Sequence, residues 1–167
     1  VVCPGSLAAL ATYMEQHPEV GFLGCQLLNA DLTLQGSYAD FPDLLSAMLG
    51  KDRRRHTAPC HNGSAVEVDA ISGACMLVRR EVVDRIGGMD EAYHLYVEEV
   101  DWCYRGRQAG WKVCYLPDVK ILHLLGQSRK HRPWFSYLNL HRSRLLFFAM
   151  HYGRRQAQML RFGYMLM

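Results

Sequence analysis

The chain has 167 residues, half of them hydrophobic, and a formal charge of +3. That is enough apolar material for the core of one domain, which excludes a disordered chain, and too little net charge to imply a nucleic-acid partner by itself. The basic residues are clustered at 51–55, 129–132 and 142–161, a distribution suited to phosphate groups or an anionic membrane surface.

Val1-Val2-Cys3-Pro4 reads as a strand entering a turn, and without an initial Met the expectation is a piece of a longer protein. Pro4-Gly5-Ser6 then opens a helix with Leu7, Leu10, Ala11 and Met14 as its apolar stripe, ending near His17-Pro18 because the residue before a proline resists the helical region. Residues 20–28 form a nearly continuous apolar run, the pattern of a strand covered on both faces. After a turn at Asn29-Ala30-Asp31, residues 32–38 read as a short hairpin arm. Residues 40–64 read as a long surface excursion in which only 44–49 look helical.

Residues 66–69 alternate like a strand, and 71–78 read as another with Ser72-Gly73-Ala74 inside it. Small residues in a strand admit a ligand or a second backbone, or simply pack tightly; both readings stand. A short helix from Arg79-Arg80-Glu81 to Ile86 is stopped by Gly87-Gly88.

Five carboxylates, Asp90, Glu91, Glu98, Glu99 and Asp101, then fall within twelve residues, among aromatic side chains rather than lysines. Val97, Val100 and Tyr104 share helical spacing, while Glu98, Asp101 and Arg105 lie on a neighbouring face and Glu99 projects to a third side, over Trp102 and Cys103. In the first turn these acids meet the positive end of the helix dipole, which favours a carboxylate able to accept a proton at neutral pH. Equally, they can be ordinary first-turn residues with an Asp101–Arg105 pair of about 0.3–0.5 kcal/mol.

Gly110-Trp111 turns the chain into 112–116 and 119–124, two short strands separated by Pro117-Asp118 that read as a hairpin or a pair of sheet edges, with His123 in the second. A long helix is expected over 134–152, its aromatic residues packed on the domain and its arginines facing phosphate or water. No window reaches the roughly 20 uninterrupted apolar residues of a membrane span. The six cysteines lack CxxC spacing and read as free thiols in a reducing compartment, and Cys60-His61 has no second knuckle for zinc.

In order along the chain, Pro4-Gly5-Ser6-Leu7, His17-Pro18-Glu19-Val20-Gly21, Phe41-Pro42, Ile71-Ser72-Gly73-Ala74-Cys75-Met76-Leu77-Val78-Arg79-Arg80, Gly87-Gly88-Met89-Asp90-Glu91, Tyr96-Val97-Glu98-Glu99-Val100-Asp101-Trp102-Cys103-Tyr104-Arg105, Ala109-Gly110-Trp111, Leu116-Pro117, His123 and Leu140-His141-Arg142-Ser143-Arg144 are present. Together they closely resemble the second half of family 2 glycosyltransferases with the GT-A fold, of the rhamnosyltransferase and galactofuranosyltransferase type.

The resemblance implies a partial GT-A fold of the α/β class: a mixed sheet flanked by helices, with residues 1–133 as the acceptor-side part, 134–167 as a C-terminal helical region, and the nucleotide-binding half before Val1. It implies inverting transfer of a sugar from a nucleotide-sugar donor to a hydroxyl of a cell-surface glycan or lipid-linked acceptor. With the basic, aromatic C-terminal helix it suggests the cytoplasmic side of a membrane, that helix either in peripheral contact with the membrane or packed on the domain. The family's base is the second acid of a Glu-Asp pair and matches Glu99, with Glu98 as the first acid; Glu stands here in place of Asp, lengthening the reach by one methylene. Asp101 is a third candidate catalytic acid, and Asp101 and Arg105 match positions that order the helix. Gly73, Ala74, Trp102 and Arg105, with Asp90 and Glu91 in the turn lining the acceptor side, are the candidate substrate contacts. A divalent metal, Mg or Mn, is expected mainly from an Asp-x-Asp in the preceding half, since none is present here, with His123 as a further ligand. Two other readings stay open: a glycan-binding module without catalysis, and a metal-dependent hydrolase built from His123, Glu98, Glu99 and Asp101.

Overall fold

A computed structural model describes residues 1–50, 54–55, 64–124 and 133–166. Helix α1 (Ser6–Gln16) buries Leu10 and Met14, one turn apart, and stops before Pro18. Its last carbonyls are satisfied by Arg79, whose guanidinium donates to Met14 and His17 and whose Nε donates to Val20 O at 2.9 Å.

The apolar run is strand β1 (Val20–Leu28), the centre of the main sheet, buried from Val20 through Leu27. Along its second half it pairs antiparallel with β2 (Leu34–Gln35). Strand β3 (Tyr38–Ala39), helix α2 (Leu44–Met48) and β4 (Arg54–Arg55) follow; Asp43 caps α2 by accepting from Ser46 N. After β5 (Val66–Glu67), β6 (Ala70–Ile71) joins β3 and β4 in a second, three-stranded sheet of order β4-β3-β6, while β7 (Met76–Val78) pairs antiparallel with the first half of β1. Residues 71–78 are therefore not one strand. The chain leaves one sheet at Ile71 and enters the other at Met76, and Ser72-Gly73-Ala74 form the exposed turn between them.

Helix α3 (Arg80–Ile86) ends at Gly87, whose φ of 75° suits a residue without a Cβ. Helix α4 (Glu98–Gln108) crosses the main sheet closely, because Gly106 puts backbone against the Phe22 ring. Next comes β8 (Lys112–Leu122), parallel to β1 along its whole length and flanked on its other side by β5. The expected pair of short strands is thus one strand. β1 supplies a continuous partner, and the proline is absorbed in a bulge: Cys25 pairs with Leu116 but Gln26 with Lys120, so 117–119 are looped out.

Helix α5 (Pro133–Phe147) continues through one π-helical turn, Phe148–Tyr152, to Gly153, where φ is 89°, and a further helix, α6 (Arg154–Met165), follows. Phe147 and Phe148 are buried as expected, but Trp134 and Tyr137 are exposed, and the inward face of α5 is polar: Ser136, Asn139, Ser143 and Arg144. Three apolar clusters result. One lies under α1, one between the sheet and α4, and one joins α2, α4, α5 and α6 around Phe147, Phe148, Val97 and Leu160. Among the described residues no helix is long and apolar enough to cross a membrane. Cys3, Cys25, Cys75, Cys103 and Cys114 are free thiols, and Cys60-His61 lies outside the described residues.

Candidate active site

The segment before α4 is held by tight local chemistry. Asp90 accepts from Ala92 N at 2.9 Å, and Tyr93 N donates to Asp90 O. Two consecutive residues, Tyr96 (φ 68°) and Val97 (φ 71°), then adopt the left-handed region. For L-residues this costs roughly 1–2 kcal/mol each, and for a β-branched valine it is a rare conformation. Such strain persists where the surroundings over-determine it, and buried Val97, anchored in the α5–α6 cluster, does so. The kink aims the first turn of α4, with Glu98, Glu99 and Asp101, at its neighbours.

Glu99 lines a cavity that Asp90, Glu91, Glu98 and Asp101 do not line. That cavity is bounded by the Tyr38–Ala47 stretch, by Ile71 and Ser72, by Val97, Glu99 and Val100 of α4's start, and by Leu140 and Arg144 of α5. Glu99 is 9% exposed. Gly73 packs over it: a Cβ built on Gly73 would stand 3.6 Å from the Glu99 Cβ. The structure thus brings Glu99 and Gly73 together, with Ala74 exposed on the same turn. Glu98 is half-buried outside the cavity lining, and its Oε2 has no hydrogen-bond partner among the described residues.

Asp101 faces elsewhere. It is fully buried, with Oδ2 accepting from Arg105 Nε at 2.7 Å and Oδ1 contacting His151 Nε2 at 2.6 Å and the Tyr93 hydroxyl at 3.2 Å. Burial first, and the Asp101 charge second, push the Tyr93 phenol well above its usual range, so it stays protonated and donates. Both Asp101 oxygens are thus engaged by side chains of the fold, and Asp101 does not line the cavity.

The other candidate contacts are engaged by the fold. Arg105 donates to Ile86 O and Gly88 O, both at 2.8 Å, and Trp102 Nε1 donates to Gly87 O at 2.9 Å while its ring stands edge-on to Phe22. They clamp the end of α3 to α4. Asp90 stays in its own turn, Glu91 is exposed, and neither lines the cavity. His123 follows β8, where its Nδ1 meets Gln35 Oε1 at 2.6 Å, and it does not line the cavity either. Among the described residues no group of three or more His, Cys, Asp or Glu could hold a metal ion. They do not assemble a divalent site, and His123 is not joined there by Glu98, Glu99 or Asp101.

The cavity adds residues that the acidic segment does not announce: Asp40, Phe41 and Arg144 above all. Their only signal in the sequence is their place in or beside Phe41-Pro42 and Leu140-His141-Arg142-Ser143-Arg144, two of the segments that carry the family resemblance.

Residues 1–144 match the family described as glycosyltransferase like family 2, so the match runs through every element that lines the cavity and stops at Arg144. The chain is 31% identical over 156 residues to N-acetylglucosaminyl-diphospho-decaprenol L-rhamnosyltransferase of Mycobacterium tuberculosis, a stretch covering 87% of this chain and 51% of that protein. It is 29% identical over 121 residues to the low-salt glycan biosynthesis hexosyltransferase Agl10 of Haloferax volcanii (71% and 36%) and 32% identical over 80 residues to rhamnosyltransferase WbbL of Escherichia coli (48% and 30%). The chain spans about half the length of the first of these relatives and less of the others. With the mixed sheet, the helices around it and the ordered motifs already described, the match is decisive: the chain belongs to the glycosyltransferase family 2.

Proposed function

We propose that the chain forms the acceptor side of an inverting glycosyltransferase, with Glu99 as the general base. The observation that carries this reading is the position of Glu99, on the cavity wall at the start of α4, under the small Gly73 turn. An acceptor hydroxyl in the cavity hands its proton to the Glu99 carboxylate while its oxygen attacks the anomeric carbon of the donor sugar. The bond from that carbon to the phosphate oxygen breaks, the electron pair leaves with the nucleoside diphosphate, and Glu99 later returns the proton to solvent. Asp101, Arg105 and Trp102 keep α4 in place. The longer Glu, in place of Asp, packs beside the small Gly73, where a Cβ would stand 3.6 Å from the Glu99 Cβ.

The divalent cation implied by the resemblance finds no ligand set among the described residues. For the donor and acceptor, the relatives' names favour an activated rhamnose or hexose and a diphospho-polyprenol-linked sugar. Exposed Met159, Phe162 and Met165 beside exposed Arg154, Arg155 and Arg161 on α6 suit peripheral contact with an anionic membrane, on its cytoplasmic face.

The test is sugar transfer by the full-length gene product, using radiolabelled nucleotide sugars and a polyprenyl-diphosphate-linked N-acetylglucosamine. Glu99→Gln should reduce transfer at least about a hundredfold while nucleotide-sugar binding survives. Transfer retained by Glu99→Gln and lost by Asp40→Asn would move the base to the opposite wall. Glycan binding without turnover in the unaltered protein would make the chain a binding module.

A further inference from the structure

We infer that Arg144 binds a phosphate oxygen of a diphosphate-bearing substrate in the cavity that Glu99 lines. The inference rests on the transfer reading for the identity of the ligand and on the protein's own geometry for the site.

The half-buried arginines of this protein show what a guanidinium ordinarily requires. Arg79 is saturated by three backbone carbonyls, Arg105 by the Asp101 carboxylate and two carbonyls, and Arg107 by Asp69 and Glu67. Arg144 is only 8% exposed, yet it forms no ion pair among the described residues. Its polar neighbour is the Tyr164 hydroxyl: burial raises the Tyr164 phenol, and the Arg144 charge pulls it part of the way back. Burying a cation is costly unless an anion or a set of acceptors compensates. α5 nevertheless turns Arg144 inward, on its polar face, to the wall of the cavity.

The surroundings define the ligand. Tyr38, Phe41, Ile71 and Leu140 line the same cavity, and the low local dielectric they create strengthens any charge pair formed there. A planar fork of donors matches two oxygens of one phosphate group. The cavity carries both signs of charge, with Asp40 and Glu99 on its walls and Arg144 on the α5 wall. A substrate that presents its hydroxyl to Glu99 places its phosphate within the same cavity as Arg144. Two substrates of the proposed reaction carry a diphosphate, the nucleotide sugar and the lipid-linked acceptor.

Inorganic pyrophosphate is the probe, titrated calorimetrically into the full-length gene product. Unaltered protein should bind it, Arg144→Met should weaken binding about thirtyfold, and Arg144→Lys, which keeps the charge and loses the fork, about tenfold. Glu99→Gln should bind as tightly as the unaltered protein or tighter. No binding by the unaltered protein, or undiminished binding by a folded Arg144→Met, overturns the inference. Should Arg144→Met fail to fold, Arg144→Lys decides: affinity equal to the unaltered protein's overturns it. In steady-state transfer, a raised KM of Arg144→Lys for the nucleotide sugar assigns the phosphate to the donor, and a raised KM for the lipid assigns it to the acceptor; neither KM moving also overturns the inference. The two readings fail separately. Pyrophosphate binding lost in Arg144→Met with transfer intact in Glu99→Gln removes the base and leaves the anion site. The reverse pattern removes the anion site and leaves the base.

Discussion

Asp101 and His151 meet at 2.6 Å across fifty residues of sequence, tying the first turn of α4 to the π-helical turn that follows α5. The extra residue in that turn alters the helical phase, and π-helical turns of this kind recur at functional positions. Tyr104 and Phe147 pack against the His151 ring, with centroids 4.4 and 4.7 Å away.

Because Asp101 is fully buried between three donors, an Asn there keeps one acceptor oxygen, sets an NH2 group against the donors and removes the charge that Arg105 pairs with. Asp101→Asn should lower unfolding free energy by roughly 3 kcal/mol or more, and His151→Phe by about 1–2 kcal/mol. Urea denaturation followed by tryptophan fluorescence measures both. If Asp101→Asn shifts the midpoint no more than a surface substitution would, the network does not anchor α4.

Gly73 should control access to Glu99. A methyl at Gly73 meets Glu99 at ordinary van der Waals distance, so Gly73→Ala should keep transfer within about threefold, whereas the branched side chain of Gly73→Val displaces Glu99 and should cost roughly a hundredfold. The turn is exposed, so neither change should move the thermal midpoint. Equal activity of Gly73→Val and the unaltered protein would detach this turn from the chemistry.

At Gly106 two effects oppose each other. Alanine gains about 1 kcal/mol of helix propensity, but its methyl would collide with the ring of fully buried Phe22, in a close-packed interior. Overpacking of about 1–3 kcal/mol or more wins, so Gly106→Ala should lower the melting temperature by about 3–8 °C. A rise in melting temperature would mean that α4 can lift off the sheet without loss.

Alkali should unfold the protein through its buried thiols. Burial pushes Cys103 up to about 12 and Cys114 up to about 11, from an ordinary thiol value of 9.0. A group whose folded pKa is raised contributes stability fully present below the unfolded value and lost as pH climbs through the folded one. Stability set by these thiols should hold up to about pH 9, then fall by roughly 1.4 kcal/mol per pH unit per thiol until the folded pKa is reached. In urea titrations under reducing conditions, Cys103→Ala should show a shallower decline above pH 9. An unchanged slope would assign the loss to other groups.

Much of this arrangement was legible in the sequence because it is written locally. The unbroken apolar run of β1, the helix stop at Gly87 and the first-turn acids of α4 each depend on near neighbours. What was not legible depends on partners far away. Pro117 suggests a strand break, but β1 runs on past it and turns the break into a bulge. Ser72-Gly73-Ala74 look like strand interior until Ile71 and Met76 are seen to pair in different sheets. Trp102 and Arg105 have the chemistry of substrate contacts, and only the positions of the Ile86, Gly87 and Gly88 carbonyls reveal what occupies them. Arg144 is the sharpest case, since no local rule sends an arginine inward.

The Asp101–His151 contact also imposes an order of events during synthesis. At roughly 5–20 residues per second, the ribosome needs some 3–10 seconds to add the residues that separate the two partners. Throughout that interval the nascent α4 carries a carboxylate whose imidazole does not yet exist. This latch therefore cannot close until His151 has emerged from the exit tunnel, and a pause in translation before His151 would prolong the unlatched form.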